Sequence, residues 1–106
     1  MRTRLSEACA AYGSLGEEFS RAVVEAAAWA EETLRSGGAV FLLGNGGSAA
    51  DAQHWAAELV GRYADEREPL NVQALTTNSS TITALVNDYP PNEVFERQVR
   101  AHVKKG

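Results

Sequence analysis

The segment from Ala39 to Tyr63 (AVFLLGNGGSAADAQHWAAELVGRY) constrains the fold of this chain more than any other part of the sequence. Its continuous apolar run, Ala39–Leu43, is typical of a strand that is buried on both faces, as in a parallel sheet. A glycine-rich turn, Gly44–Ser48, follows, and the residues from Ser48 to Tyr63 have the periodicity of a helix. A strand, a tight turn and a helix in this order predict an α/β fold.

The rest of the sequence continues the alternation of helices and strands. It predicts helices over residues 1–12, 17–36, 81–86 and 93–103, a second strand over 70–75, and breaks at 64–69 and 87–91. We divide the chain into an N-terminal helical segment, residues 1–36, and the first part of a parallel-sheet domain, residues 37–106. Two strands are few for a parallel sheet, so the chain is expected to stop before a third strand.

Composition limits the classes of partner that this chain can bind. Its 106 residues include 10 basic and 14 acidic side chains, which give a net charge of −4 without any basic block. Binding to nucleic acid or to an anionic membrane through charge is therefore not expected. The single Cys9 suits a reducing cytoplasm, and no apolar run suggests a signal peptide or a membrane span.

The glycine-rich turn predicts a place for an anionic group. Backbone N–H groups that follow one another in such a turn, together with the dipole of the next helix, attract negative charge. Ser48 or Asp51 is expected to cap that helix. The alternative is a tight strand-to-helix turn that binds no ligand.

His54 and Glu58 are four residues apart, so a helix places them on the same face. They offer two ligands for a divalent metal, or Glu58 could move a proton between neighbouring carbons. The alternative is a surface pair worth about 0.2–0.5 kcal/mol. Because their helix begins at the glycine turn, we predict that both face the same cavity as the turn. Two ligands do not complete a zinc site, and His102 lies in a distant basic tail.

Apolar residues define which side of this helix faces the core. The predicted stripe consists of Ala52, Trp55, Ala56, Leu59 and Val60. Trp29 and Trp55 are therefore interpreted as core or helix-interface residues rather than as platforms for a ligand. The helix over 17–36 has an alanine-rich apolar side in a small chain, which predicts packing against another subunit.

The sequence GNGGSAADAQHWAAELVGRY resembles the phosphoheptose isomerases of the sugar-isomerase (SIS) domain superfamily. The glycine turn, Asp51, the His-x-x-x-Glu helix and the Gly-Arg-Tyr ending match in order, and Asn87-Asp88 and Phe95 follow. The resemblance implies a flavodoxin-like or Rossmann-like parallel sheet whose N-terminal helices pack in a cytoplasmic homotetramer. It also implies conversion of sedoheptulose 7-phosphate to D-glycero-D-manno-heptose 7-phosphate through an enediol-type intermediate, in the biosynthesis of cell-surface glycans such as lipopolysaccharide.

The resemblance assigns roles to individual residues. Glu58 and Asp51 would be catalytic, and His54 and Glu58 would ligate zinc in members that bind it. The two roles of Glu58 compete, since a carboxylate on a metal is a poorer base. The substrate contacts would be Asn45, Gly46, Gly47, Ser48, Glu58, Asn87 and Asp88.

The chain also departs from the family pattern. A Ser/Thr-rich loop that grips the phosphate, a later Gln and a second His are missing, so the chain resembles the N-terminal half of the domain. We therefore expect little or no isomerase activity from these residues alone. One alternative is a non-enzymatic SIS adaptor that binds the replication initiator, and another is a different sugar-phosphate-binding SIS protein. Glu58 and the Gly46-Gly47 pair favour the isomerase.

Overall fold

A computed structural model describes residues 2–104 and shows an α/β architecture, which confirms the predicted fold class. Met1, Lys105 and Gly106, which belong to the predicted segments, lie outside the described residues. None of the helices between residues 2 and 104 is long and apolar enough to cross a membrane. The elements in chain order are α1 Arg2–Gly13, α2 Glu17–Arg35, β1 Val40–Leu42, α3 Gly47–Val60, β2 Val72–Ala74, α4 Ser79–Asp88 and α5 Glu93–His102.

The chain forms two compact units, one ending at Thr33 and one beginning at Leu34. This division falls three residues before the boundary predicted at residues 36 and 37. The first unit consists of α1 and most of α2, and no residue of α2 is buried. Trp29 is 64% exposed, so it does not belong to the core of the described residues. Its interpretation as a core residue is wrong, and the helix-interface alternative stays a prediction.

The second unit is built on two parallel strands. Val40 pairs with Val72, Phe41 with Gln73, and Leu42 with Ala74. Val72 and Ala74 are buried and alternate with the exposed Gln73, because successive side chains of a strand point to opposite faces.

The helix α3 covers one face of this sheet. Ala52 and Ala56, one turn apart, are buried against Val72 and Ala74. Their small side chains let the helix lie close to the strands. Leu34, Val40, Leu42, Leu59 and Leu70 pack around this core and remain partly exposed.

The helix α4 is longer than the sequence pattern predicts. Asn78 is its N-cap, and the side chain of Asn78 accepts a hydrogen bond of 3.0 Å from the N–H of Thr81. The helix therefore begins at Ser79 and continues to Asp88. The predicted break at Asn87 and Asp88 is wrong, because the chain leaves the helix only at Tyr89. Tyr89 is extended since it precedes a proline, which disfavours helical backbone in the residue before it.

Candidate functional site

The turn between β1 and α3 requires glycine at two positions for different reasons. A Cβ atom on Gly44 would lie 2.6 Å from the Cβ atom of Ser48 and 2.8 Å from its carbonyl oxygen. Gly46 has φ 55 and ψ −120, a backbone conformation that side chains disfavour. These two glycines allow the chain to pass directly from the end of β1 into the first turn of α3.

Backbone hydrogen bonds close this turn without help from a side chain. The N–H of Ser48 donates to the carbonyl of Asn45 at 3.0 Å, and the N–H of Ala49 donates to that of Gly46 at 3.1 Å. Gly46 is the N-cap of α3, so the prediction that Ser48 or Asp51 caps this helix is wrong. No group within residues 2–104 accepts a hydrogen bond from the N–H of Gly46 or Gly47. Both donors are therefore available to an anion at the positive end of α3.

A cavity of about 450 Å³ opens beside the turn, at the carboxyl ends of both strands. This is where ligands bind in α/β proteins, and the volume is that of an ordinary small-molecule pocket. Its polar lining residues are Asn45, Thr76 and Asn92. The remaining lining consists of Gly44, Gly46, Ala49, Ile82, Val86, Pro91, Val94 and Phe95.

Thr76 and Asn92 line the cavity, although neither was predicted from the sequence as a site residue. The hydroxyl of Thr76 donates to the carbonyl of Ala49 and accepts from the side chain of Gln53, both at 3.4 Å. Thr76 follows the predicted strand 70–75 just as Gly44 follows the first strand. The rule that ligands gather at the ends of parallel strands could therefore have identified it. Asn92 precedes α5, and its position carried no comparable signal.

Some of the predicted substrate contacts line the cavity and others do not. Asn45 and Gly46 line the cavity at the turn, whereas Gly47 and Ser48 are exposed beside it and do not line it. Asn87 and Asp88 form the end of α4, where the Nδ2 of Asn87 donates to the Oδ1 of Asp88 at 2.8 Å. They do not line the cavity either, so their role as substrate contacts stays a prediction.

His54 and Glu58 lie together on the exposed side of α3. The Nε2 of His54 is 3.6 Å from the Oε1 of Glu58, and the two side chains are 71% and 32% exposed. They line a second, open depression of about 440 Å³ together with Trp55, Leu59 and Tyr63. Asp51 is exposed three residues before His54, hence on the same side of the helix.

The prediction that His54 and Glu58 share a cavity with the glycine turn is wrong for this chain. Glu58 follows Ala49, which lines the turn cavity, by nine residues, or about 180° of rotation around an α-helix. The buried faces of Ala52 and Ala56 fix the orientation of α3 and leave Glu58 in the other depression. Trp55 is 63% exposed, so its assignment to the core stripe is also wrong.

The described residues offer two of the ligands that a zinc site would need. Zinc sites need three or four protein ligands, and His54 and Glu58 provide an imidazole nitrogen and a carboxylate oxygen. Between residues 2 and 104 there is no group of three or more His, Cys, Asp or Glu side chains that could hold a metal ion. This donor set alone does not fit a closed zinc centre.

Known proteins are similar to this chain in both sequence and fold. A model of the SIS domain family matches residues 6–106. The phosphoheptose isomerase of Rhodospirillum rubrum is 59% identical over 85 residues, which are 80% of this chain and 45% of that protein.

Two solved structures superpose on the chain. The phosphoheptose isomerase of Francisella tularensis matches 94% of the chain with a TM-score of 0.87 and 33% identity. That of Neisseria gonorrhoeae matches 94% with a TM-score of 0.82 and 39% identity. The chain spans 52% and 51% of these two structures, respectively, or about half the length of the relatives it matches. The resemblance seen in the sequence is thus confirmed, and the chain belongs to the SIS domain family.

Proposed function

We propose that this chain is the N-terminal part of a phosphoheptose isomerase that converts sedoheptulose 7-phosphate to D-glycero-D-manno-heptose 7-phosphate. The observation that carries the proposal is the 59% identity to the Rhodospirillum rubrum phosphoheptose isomerase. A match over 85 of 106 residues necessarily includes the glycine turn and α3. A replication-initiator adaptor is not favoured, because the similar relatives are phosphoheptose isomerases.

The cavity at the glycine turn is the proposed binding site for the sugar phosphate. The phosphate would accept hydrogen bonds from the N–H of Gly46, which lines the cavity, and from that of Gly47 beside it, at the positive end of α3. A net charge of −4 without a basic block makes such local donors necessary. Asn45 lines the same cavity, and its side-chain amide is proposed to bind the sugar.

The proposed reaction needs a group that moves a proton between neighbouring carbons. A base removes a proton from C1 of the ketose to form the enediol, a proton is then delivered to C2, and a hydroxyl proton passes from O1 to O2. Glu58 is the proposed acid/base, and Asp51 is a second candidate. The carboxylate of Glu58 is partly exposed and so accessible to a substrate.

Glu58 does not line the turn cavity of its own chain. The proposal therefore requires the depression that holds Glu58 to meet a substrate bound elsewhere. A second copy of the chain, or residues outside those described, would have to bring the two together.

Zinc is a proposed cofactor. His54 and Glu58 would hold it together with donors from outside the described residues, and a bound zinc would polarise the substrate carbonyl. A carboxylate that binds a metal is a weaker base, so the two proposed roles of Glu58 compete. Calorimetric titration with zinc tests the pair: the His54→Ala chain should bind more weakly than the unaltered chain, and equal affinities would contradict the assignment.

Self-association through α2 is proposed as well. Phe19, Val23 and Trp29 expose at least half of their surfaces on this helix, an apolar area that a second subunit would cover. A homotetramer in the cytoplasm, feeding heptose to cell-surface glycans such as lipopolysaccharide, is the assembly and setting that we propose. A single-chain mass in sedimentation equilibrium at micromolar concentration would contradict the self-association.

A chimaera tests the proposed activity. In the Rhodospirillum rubrum enzyme, the segment that aligns with this chain is replaced by it, and turnover of sedoheptulose 7-phosphate is measured. We expect an active chimaera, and Glu58→Gln should lower kcat by about 100-fold or more, as loss of a general acid/base does.

The matched control is Glu66→Gln, which removes an exposed carboxylate paired with Arg62 at 3.1 Å. This variant should keep its activity. A folded but inactive chimaera would contradict the proposed function, and full activity of the Glu58→Gln chimaera would contradict the role of Glu58.

A further inference from the structure

Two helices of the second unit begin after an asparagine, and the two asparagines behave differently. Asn78 has extended backbone and caps α4 through its side chain, which accepts from the N–H of Thr81 at 3.0 Å. Asn92 precedes α5 with helical backbone, φ −69 and ψ −17, and its side chain makes no capping hydrogen bond. A capping residue has non-helical backbone, so the helical Asn92 already lies in the first turn of α5 and its side chain is not placed to cap the helix.

Asn92 is an exposed residue that lines the cavity at the glycine turn. Its amide makes no hydrogen bond to any group within residues 2–104, so a donor group and an acceptor remain available. Thr76, another polar lining residue, has its hydroxyl engaged with Ala49 and Gln53. The α4 wall of the cavity is apolar at Ile82 and Val86. Asn92 is therefore a polar group of the cavity that has no structural task of its own.

We infer that Asn92 is a substrate-binding residue whose amide hydrogen-bonds the hydroxyl groups of the sugar phosphate. This inference rests on the proposed function, which places the phosphate at the N–H groups of Gly46 and Gly47. An amide donates and accepts at once, which matches a sugar hydroxyl and gives no particular advantage with a phosphate.

The test compares the unaltered chain with Asn92→Ala and Asn78→Ala. Binding of sedoheptulose 7-phosphate and of inorganic phosphate is measured by NMR titration, and stability is measured by urea unfolding. Asn92→Ala should bind the sugar phosphate about three- to tenfold more weakly, the effect of one lost hydrogen bond, with unchanged affinity for phosphate. Its unfolding midpoint should stay within error of the unaltered chain.

Asn78→Ala is the matched control, because it removes the same side chain from a helix start where the side chain does cap. Its urea midpoint should fall and its affinity for both ligands should stay unchanged. If Asn92→Ala does not fold, Asn92→Asp replaces it, since an acidic residue is favoured at a helix N-terminus. Asn92→Asp should weaken sugar-phosphate binding at least threefold, because it loses the amide donor and repels the anion.

Each outcome separates the two proposals. Equal affinity of Asn92→Ala and the unaltered chain for sedoheptulose 7-phosphate would overturn the inference alone, as would an equal loss for inorganic phosphate. A chain that binds inorganic phosphate at the turn but not sedoheptulose 7-phosphate would overturn the proposed sugar-phosphate site at the turn, and this inference with it.

Discussion

Gly44 is the residue on which the strand-to-helix turn depends most directly. Gly44→Ala would place a methyl group 2.6 Å from the Cβ and 2.7 Å from the carbonyl carbon of Ser48, so β1 and α3 would have to move apart. We expect a loss of about 1–3 kcal/mol in the free energy of unfolding, the usual cost of overpacking. Urea denaturation followed by circular dichroism measures it.

Gly47→Ala is the control for this prediction. A Cβ on Gly47 meets no atom within 4 Å, and Gly47 is the first residue of α3. Alanine there should be neutral or stabilising by up to about 1 kcal/mol, because glycine is the poorer helix former. A Gly44→Ala chain as stable as the Gly47→Ala chain would contradict the steric account.

Whether a residue lines the cavity is easier to predict from the sequence when its position depends on local chain geometry. It is harder to predict when the position depends on the orientation of a helix. Asn45 and Gly46 belong to a turn that the glycines impose, and they line the cavity as expected. The orientation of α3 is set by the small Ala52 and Ala56, which lie close to the strands. An apolar pattern that ignores side-chain size includes Trp55 as well. The predicted apolar face of α3 therefore includes an exposed residue. The pattern also does not show which way Glu58 points.

The helix α3 ends against an arginine from the loop that follows it. Arg67 donates from Nη1 to the carbonyl of Leu59 and from Nη2 to that of Glu58, both at 2.9 Å. These carbonyls lack partners within the helix, and a cation is favoured at the helix C-terminus. Arg67→Ala should therefore lower the free energy of unfolding by about 1.5–3 kcal/mol, the range for hydrogen bonds to a charged group.

Arg100→Ala is the matched arginine control. Its guanidinium is 3.8 Å from the carboxylate of Glu96 on the exposed side of α5, and such surface pairs are worth about 0–1 kcal/mol. Thermal unfolding of both variants checks the comparison. Similar melting temperatures for the two would show that Arg67 does not stabilise the end of α3.

Element types followed from the sequence, whereas two element boundaries depended on single side chains. The start of α4 is fixed by the Asn78 side chain, which adds a first turn that apolar periodicity does not show. Its end is fixed by Pro90 through the backbone of Tyr89. Both signals are present in the sequence as capping and proline rules. The periodicity alone placed the helix start two residues late and its end two residues early.

The two units of the molecule differ in how much apolar surface they bury. The second unit buries Val72, Ala74 and Leu75 in a small core, with Leu75 2% exposed. The first unit leaves Leu5, Phe19 and Trp29 exposed by half or more. The sequence shows directly that α2 has an alanine-rich apolar side, and no residue of α2 is buried. What covers it is a property of the assembly, which the pattern of one chain does not specify.

The proposed function depends on recognition of a heptose phosphate by the turn after β1. The most direct measurement is a ¹H–¹⁵N NMR titration of this chain with sedoheptulose 7-phosphate, and with unphosphorylated sedoheptulose as the matched ligand. We predict that the phosphorylated sugar shifts the amide signals of Gly46 and Gly47 most strongly, and that the unphosphorylated sugar leaves them unchanged. Equal responses to both sugars, or a response confined to residues away from the turn, would contradict the account.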